Sequence, residues 1–342
     1  MKILVAATGG TIGSAAKDGV ISTDKGQTLL LLELFRNAYG DLAEFQVETL
    51  CSVLSENADD AFYETLCGFL KTVNSRDCDG VILLHGTDTL SFSAALCAMA
   101  VREVTKPVCF VSSNHVLTEK DANGLANFYA AVRYIEAGLS GFVVPYRNSD
   151  GQTQFHLATR LLEADAFLDD FHSAGDCPLA WFKDDKIICN SAPCVPAQSL
   201  LQEKRTPVFG EAVRFSKTIL PLKMYPGLDF AAISPNPETC AAVLLLGYHS
   251  GTAPEKAVEA FAARCFDAGI PVYLAPVKRG EDVYASADAL LKGKVVPLYN
   301  MTPESALAKL KIAYNHPTKP AAEVLKETLY FEDTGVFSPK FQ

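Results

Sequence analysis

Lys2-Ile3-Leu4-Val5-Ala6-Ala7 forms an uninterrupted apolar run after a single lysine, and Thr8-Gly9-Gly10 closes it. Such a run, bounded by glycines, is typical of a strand buried on both faces of a parallel sheet. The pattern recurs from Gly80 to Leu84, just before His85-Gly86, and again from Val108 to Ser112. We therefore predict that these three runs are strands of a parallel sheet.

Helical patterns separate the apolar runs. The predicted helices are Gln27–Tyr39, Asp59–Asn74 and Leu90–Glu103, with a further strand near Phe45–Leu50. Strands that alternate with helices of about ten to fifteen residues form right-handed βαβ units. The sequence thus predicts an α/β fold with a doubly wound, mostly parallel sheet.

A break in the pattern predicts a second domain. Between about Asn190 and Gly210 the sequence turns to Ser, Pro, Gln and Lys, and the alternation then resumes. The later elements are strands at Ile219–Met224, Ala241–Leu246 and Val272–Ala275 and helices at Glu255–Ala268 and Thr302–Tyr314. We predict a larger N-terminal domain over 1–190, a linker over 191–212 and a smaller C-terminal α/β domain over 213–342.

The composition excludes several classes of protein. The chain has 342 residues, of which 49% are hydrophobic and 20% are charged, so a mainly disordered state is excluded. Its net charge of −10 repels nucleic acid and anionic lipid. The first residues lack the features of a signal peptide, and no uncharged apolar stretch is long enough to span a membrane. We therefore expect a cytoplasmic protein with no nucleic-acid or membrane partner.

Metal and disulfide sites are not expected either. The ten cysteines are scattered without a CxxC pair, and most lie in apolar segments, so we interpret them as buried, reduced thiols. Four histidines have no mutual metal-ligand spacing and are interpreted as structural: His115, His156, His172 and His316. His85, at a strand end, is expected to anchor its loop through its ring.

Two strand ends carry hydroxyl groups beside glycines. They are Thr8-Gly9-Gly10-Thr11-Ile12-Gly13-Ser14 and His85-Gly86-Thr87-Asp88-Thr89. Ligands of open parallel sheets bind at the carboxyl ends of strands, so both loops are candidate sites. An alternative remains open, because Thr and Asp after a strand often cap only the next turn or helix.

A dinucleotide site is the other hypothesis for the first loop. Gly10 and Gly13 have the spacing of the last two glycines of GxGxxG. Thr8 replaces the first glycine, however, and Glu48 lies well beyond the usual acidic position. We therefore predict no nicotinamide cofactor, and interpret the Gly-Gly pair as a place where main chain approaches a small ligand.

The two loops together resemble the signature segments of the bacterial-type L-asparaginase and glutaminase family. The segments are Ala-Thr-Gly-Gly-Thr-Ile-Gly and His-Gly-Thr-Asp-Thr, which stand about 75 residues apart in this chain. Further similar segments are Asn123-Gly124 with Asn127, Tyr225-Pro226-Gly227 and Met301–Leu310. The resemblance covers essentially the whole chain, and the cytoplasmic type I branch is the most similar.

The resemblance implies an amino-acid amide site without a cofactor. Thr11 would attack the amide and form an acyl-enzyme, Thr87 would assist, and Asp88 would bind the substrate ammonium. Ser55 matches the family's carboxylate-binding serine, and Glu56 adds a second acceptor for the ammonium. Gly10 and Gly86 would line the substrate. The alternative for Ser55 and Glu56 is that they cap the helix that begins near Asp59.

Several positions depart from the family pattern. Arg160 stands where the family has a catalytic lysine, and a guanidinium cannot serve as the proton acceptor, although it could still hold Asp88 electrostatically. Val20 replaces the loop tyrosine that hydrogen-bonds the nucleophile. Asn123 replaces an aspartate, and Val116 stands where a proline is usual. These changes affect proton transfer more than amino-acid recognition.

The expected activity is hydrolysis of L-asparagine to L-aspartate and ammonia. The alternative is an amino-acid binding or sensing protein on the same fold with weakened catalysis. Gly251-Thr252 resembles the segment by which a neighbouring subunit contacts the substrate, which implies a homodimer or homotetramer. The competing interpretation of Thr252 is an ordinary turn before Pro254.

Overall fold

The computed structural model describes residues 1–10, 12, 14–17, 20–23, 26–279 and 284–335, with the side chains of 14–17 and 20–23 excluded. Two units are distinguished, Met1–Val213 and Arg214–Gln342. Thr11 and Gly13 lie outside the described residues. The domain boundaries predicted above remain a prediction.

The first unit is built on an eight-stranded sheet. The strands of this unit, eight in the sheet and two in a separate pair, are β1 (Lys2–Gly9), β2 (Ser14–Lys17), β3 (Val20–Thr23), β4 (Glu44–Val53), β5 (Gly80–Leu84), β6 (Val108–Val111), β7 (Phe142–Arg147), β8 (Thr153–Leu157), β9 (Ala180–Lys183) and β10 (Lys186–Cys189). The sheet order is β10-β9-β8-β7-β6-β5-β1-β4, while β2 and β3 pair with each other in antiparallel fashion. Strands β4, β1, β5, β6 and β7 are parallel, and β8 to β10 add an antiparallel edge.

Helices cover this sheet, and the first three of them lie where the apolar periodicity predicts. They are α1 (Gly26–Tyr39), α2 (Asp60–Thr72), α3 (Leu90–Ala100), α4 (Gly124–Glu136) and the short α5 (Gln198–Leu201). In α3 every residue except Phe92 is buried, and its side chains are apolar apart from Ser91 and Ser93. The predicted α/β class and the mostly parallel sheet are confirmed.

The residues predicted as a linker carry buried side chains. Leu201, Val208 and Phe209 are buried. Lys71 donates from Nζ to the Phe209 carbonyl, and Arg102 donates from Nε to the Thr206 carbonyl at 2.9 Å. Residues 191–212 therefore belong to the first unit, which their polar composition does not reveal.

The second unit is a four-stranded parallel sheet with helices on both faces. Its strands are β11 (Thr218–Lys223), β12 (Cys240–Leu246), β13 (Val272–Val277) and β14 (Val295–Tyr299), and its helices are α6 (Glu255–Asp267), α7 (Ala285–Lys292), α8 (Pro303–Tyr314) and α9 (Ala321–Val324). Val243 and Leu245 pack toward Phe261 of α6, whereas Leu244 packs toward Leu310 of α8. Alternate side chains of β12 therefore pack into two hydrophobic cores, one on each face of the sheet.

Candidate functional site

Three neighbouring strands of the first unit end at the same edge of the sheet. β1 lies between β4 and β5, with Ala7 opposite Leu84 and Gly9 opposite Val53. All three run in the same direction, so the residues that follow them emerge together. The sheet therefore brings Gly10, Ser55 and His85 to one edge, as expected for ligand sites in this class of fold.

The two glycine turns are in main-chain contact. Gly9 and Gly10 have φ angles of +111° and +77°, a region that disfavours other residues. A Cβ on Gly10 would stand 2.2 Å from the Gly86 nitrogen, and one on Gly9 would stand 2.3 Å from the Val53 oxygen. Because no side chain fits there, both positions require glycine, and the turn after β1 lies against the turn after β5.

Ser55 joins the third strand end to the second turn. Its side chain is buried, and its hydroxyl donates to Asp88 Oδ2 at 3.3 Å. Thr89 returns a bond, because its hydroxyl donates to the Ser55 carbonyl at 3.1 Å. A Cβ on Gly86 would lie 2.4 Å from the Ser55 Oγ, so glycine is needed on this side as well.

The neighbouring helices do not use Ser55 or Thr89 as side-chain caps. Asp59 caps α2, since its Oδ1 accepts from the Phe62 N–H at 2.9 Å, so Ser55 is not needed there. Thr89 occupies the N-cap of α3 without a side-chain cap bond, and its hydroxyl is engaged by Ser55. The two loops are therefore joined by the Ser55–Asp88 side-chain bond and by the bond from the Thr89 hydroxyl to the Ser55 carbonyl.

His85 anchors the second turn from below. The side chain is fully buried, and its ring makes edge contacts with Phe62 and Phe110. Nδ1 lies 2.7 Å from the Gly86 carbonyl oxygen and donates to it. Burial lowers the pKa of His85, so the ring is neutral at pH 7. This is the anchoring role expected from the sequence.

The remaining residues expected in the site differ in exposure. Thr87 is half-buried, and its carbonyl accepts from the Leu90 N–H at 3.2 Å. Asp88 and Glu56 are exposed, so their carboxylates face solvent at this edge. Thr11 lies outside the described residues, and for Val20 only the main chain, in β3, is described.

Arg160 is a buried cation at the end of the short turn Ala158–Arg160. Its guanidinium donates to the main-chain carbonyl of Cys194, and its charge acts on the thiol of Cys177. The turn packs against α3, the helix that begins after the second loop. The structure thus gives Arg160 a binding partner that its sequence position does not indicate.

A second polar region, which the sequence did not lead us to predict, lies at the same sheet edge. A cavity of about 400 Å³ lies near the ends of β6 and β7. Its charged lining includes Lys120, Asp121, Arg147 and Asp170. The available signal was the pair of polar stretches, Ser112–Asn114 and Asn148–Asp150, that directly follow buried strands.

Thr252 lies in a turn of the second unit, after β12. The Gly251 N–H donates to the Tyr248 carbonyl at 2.8 Å, and the Tyr248 N–H donates to the Thr252 carbonyl at 3.0 Å. The Thr252 hydroxyl lies 3.3 Å from the hydroxyl of Ser250. Gly251 has a φ of +72°, which closes the turn. The Thr252 side chain is half-buried.

Two other kinds of feature are not found in the described part of the chain. Within it, no group of three or more His, Cys, Asp or Glu side chains is arranged to hold a metal ion. Within the same residues, every helix is too short or too polar to cross a bilayer.

Comparison with known proteins agrees with this architecture. A glutamyl-tRNA(Gln) amidotransferase subunit from Saccharolobus solfataricus is 25% identical over 324 residues, which cover 92% of this chain and 72% of that protein. The thermostable L-asparaginase from Thermococcus kodakarensis superposes with a TM-score of 0.76 at 22% identity, over 97% of this chain and 99% of that one. A probable cytoplasmic L-asparaginase from Campylobacter jejuni gives 0.75 at 21% identity, over 96% and 98%.

The family model described as asparaginase, N-terminal, matches residues 2–194. That range holds both glycine turns, Ser55 and the whole eight-stranded sheet. It spans more than half of the 342 residues. The chain belongs to the asparaginase family.

Proposed function

We propose that this protein hydrolyses the side-chain amide of L-asparagine to L-aspartate and ammonia, with Thr11 as the nucleophile. The observation that carries the proposal is the main-chain contact between Gly10 and Gly86. In the sequence Thr11 follows Gly10 and Thr87 follows Gly86, and we infer that the two threonines serve one site. A pair of hydroxyls at one strand edge suits acyl transfer.

The proposed chemistry divides amide hydrolysis into two steps. The Thr11 oxygen attacks the amide carbon, an oxyanion forms and collapses, and ammonia leaves with an acyl-enzyme remaining. Water then attacks the ester and releases aspartate. Thr87 assists the transfer of the Thr11 hydroxyl proton to the leaving nitrogen, and the attacking water later returns a proton to the Thr11 oxygen. The glycines keep side chains out of the space where the substrate meets the main chain.

We assign recognition of the zwitterionic substrate to residues that follow β4 and to the loop after β5. Asp88 and Glu56 are exposed carboxylates that we assign to the substrate ammonium. The Ser55 hydroxyl, which donates to Asp88, is assigned to the α-carboxylate. On binding, rotation about its side-chain bond would exchange one acceptor for the other, at little cost because both are carboxylates.

The test is ammonia release by purified protein from L-asparagine, with L-glutamine in parallel. We expect L-asparagine turnover that Thr11→Ala abolishes. Thr65→Ala, which alters an exposed threonine on α2, is the matched control and should retain the wild-type rate. Equal rates for the wild type and Thr11→Ala would remove Thr11 from the mechanism.

A second candidate function is amino-acid binding without efficient turnover. Arg160 favours it, because the cation at this position is a guanidinium that donates to the Cys194 carbonyl and cannot accept a proton. Calorimetry should then show L-aspartate or L-asparagine binding without ammonia release over hours. A gain of hydrolysis in Arg160→Lys would support this candidate, and turnover at ordinary enzyme rates in the wild type would reject it.

The assembly and its location are also proposals. We propose a cytoplasmic homodimer or homotetramer in which Thr252 of one copy contacts the substrate of another. The resemblance of Gly251-Thr252 to the family segment and the likeness to a cytoplasmic L-asparaginase support it. The curated relative is one component of an amidotransferase, which makes a hetero-complex the competing arrangement. Light scattering of the purified chain distinguishes a defined homo-oligomer from a monomer that awaits a partner.

A further inference from the structure

Two half-buried cysteines of the first unit lie in sulfur contact. Cys177 and Cys194 stand 17 residues apart in the chain, and their Sγ atoms are separated by 2.7 Å. A disulfide places its sulfurs about 2.05 Å apart, so less than about 1 Å of movement separates this pair from a bond. We refer to Cys177 and Cys194 as the thiol pair.

Hydrogen bonds hold both members of the thiol pair in place. Asn190 donates from Nδ2 to the Pro178 carbonyl at 2.8 Å and to the Cys177 Sγ at 3.8 Å. The Asn190 N–H also donates to the Leu179 carbonyl at 3.0 Å. Arg160 donates to the Cys194 carbonyl. The contact is therefore fixed by neighbours on both segments.

The chain contains a second pair that serves as an internal comparison. Cys67 of α2 and Cys97 of α3 lie with their sulfurs 4.0 Å apart, and both side chains are fully buried. The two helices carry these thiols in packed core that a solute cannot enter. The thiol pair thus combines a short separation with partial exposure, whereas the sulfurs of Cys67 and Cys97 lie farther apart and are fully buried.

Burial and neighbouring groups determine the protonation state of Cys177. Burial and the hydrogen bond with Cys194 raise the pKa of the Cys177 thiol to about 11, while the positive charge of Arg160 acts in the opposite direction. The thiolate is the reactive form, so Cys177 rests as a thiol at neutral pH. Its reaction with an oxidant should accelerate as the pH rises.

We propose that Cys177 and Cys194 are a redox modification site that closes to an intramolecular disulfide in the presence of a hydroperoxide. One thiolate attacks the peroxide, an S–O bond forms, the O–O bond breaks, and the departing hydroxide takes up a proton. The second thiolate attacks the sulfenic sulfur, an S–S bond forms, and the second hydroxide leaves as water. Two thiols and one hydrogen peroxide give one disulfide and two waters.

The bond would close the loop that contains β9 and β10. These two strands form the antiparallel outer edge of the eight-stranded sheet. Closing this loop would tie the segment after β10 to the segment before β9. It would also constrain Cys194, whose carbonyl receives the Arg160 guanidinium. Disulfide formation would therefore alter the surroundings of the buried Arg160 guanidinium.

The test treats the whole native protein with hydrogen peroxide, blocks free thiols by alkylation, and maps the cysteines by mass spectrometry. We expect a peptide that links Cys177 to Cys194, lighter by two hydrogens and cleaved by dithiothreitol. Cys67 and Cys97 should be alkylated only after denaturation. Exposed Cys189 reports that the oxidant reached the protein.

Variants separate the proposed bond from random oxidation. Cys177→Ser and Cys194→Ser should each eliminate the linked peptide, whereas Cys189→Ser, the matched control, should leave its yield unchanged. Oxidation of Cys189 while Cys177 and Cys194 both remain free thiols would overturn the proposal, as would a link from either one to another cysteine. The mass map of the wild type decides the question even where a serine variant fails to fold.

Discussion

The two units of this protein differ in the polar groups that they bury beside their sheets. The first unit gathers neutral groups, Ser55 and His85 among them, at glycine turns where three strands end. The second unit buries a full ion pair, Lys309 of α8 with Glu332, whose atoms lie 2.7 Å apart. The Ser55 hydroxyl at the strand edge donates to the exposed Asp88, next to solvent, whereas the ion pair is enclosed within the fold.

The geometry of the ion pair supports this distinction. Lys309 Nζ also donates to the Glu327 carbonyl at 2.6 Å. Glu332 accepts the N–H groups of Leu329 and Tyr330, each at 2.8 Å. The side chains are 3% and 1% exposed, so solvent cannot replace a lost partner. The pair fastens the segment after α9 to α8.

Lys309→Met should have the largest effect on stability. It leaves the Glu332 carboxylate buried without its cation, which typically costs about 3–5 kcal/mol. Urea unfolding of the purified protein measures the loss. Lys319→Met is the matched control, because the Lys319–Glu327 pair is largely exposed and should contribute less than about 1 kcal/mol. Equal losses in the two variants would show that burial does not distinguish these ion pairs.

Gly10→Ala should reduce amide hydrolysis by about 100-fold, equivalent to about 2.7 kcal/mol of transition-state stabilisation. The new Cβ would stand 2.2 Å from the Gly86 nitrogen, so the turns must separate. Gly40→Ala is the matched control, since Gly40 has a φ of +78° but nothing within 4 Å of the added atom. Gly40→Ala introduces only the backbone strain, of about 1 kcal/mol, without a close contact, so this variant should retain activity. Comparable activity losses in both variants would remove the contact as the cause.

Acid should weaken the first unit through His156. Burial, with a contribution from the charge of His172, lowers the pKa of His156 to about 3, against about 6.5 in an unfolded chain. The stabilisation is therefore complete above pH 6.5 and is lost as the pH falls from 6.5 toward 3. Between pH 6.5 and 5 this histidine accounts for about 2 kcal/mol of lost stability.

Urea unfolding at the two pH values measures this loss. The His156→Gln variant should show a pH dependence smaller by that amount, whereas His172→Gln, at a half-exposed site, should change it little. An unchanged pH dependence in His156→Gln would assign the acid sensitivity to other groups.

Ser55→Ala should have the smallest effect. It removes one hydroxyl that donates to a carboxylate, a contribution of about 1 kcal/mol, so the Kd for L-aspartate should rise about fivefold. Calorimetry measures the Kd. Ser52→Ala, which alters an exposed serine at the penultimate position of β4, should leave it unchanged. A fivefold rise in Ser52→Ala as well would point to a general change of this segment.

Much of the fold could be predicted because its strands are continuous apolar runs. β5 spans the predicted residues Gly80–Leu84, and α1 begins one residue before its predicted start. The antiparallel edge, β8 to β10, has no such signal. Its strands are four or five residues long, and their pairing depends on partners that local periodicity does not specify.

The site shows a similar division. The two glycine turns and Ser55 follow from motifs that can be read along the chain, because glycine at positive φ and hydroxyls after buried strands have local causes. The sequence by itself thus determined the α/β class, the asparaginase-type signatures and the strand edge at which to look. Only the tertiary structure decided that Ser55 binds Asp88, that Arg160 binds the Cys194 carbonyl and that Cys177 meets Cys194. These pairs join residues 17 to 34 positions apart, and their contact depends on how sheet and loops pack rather than on any local pattern.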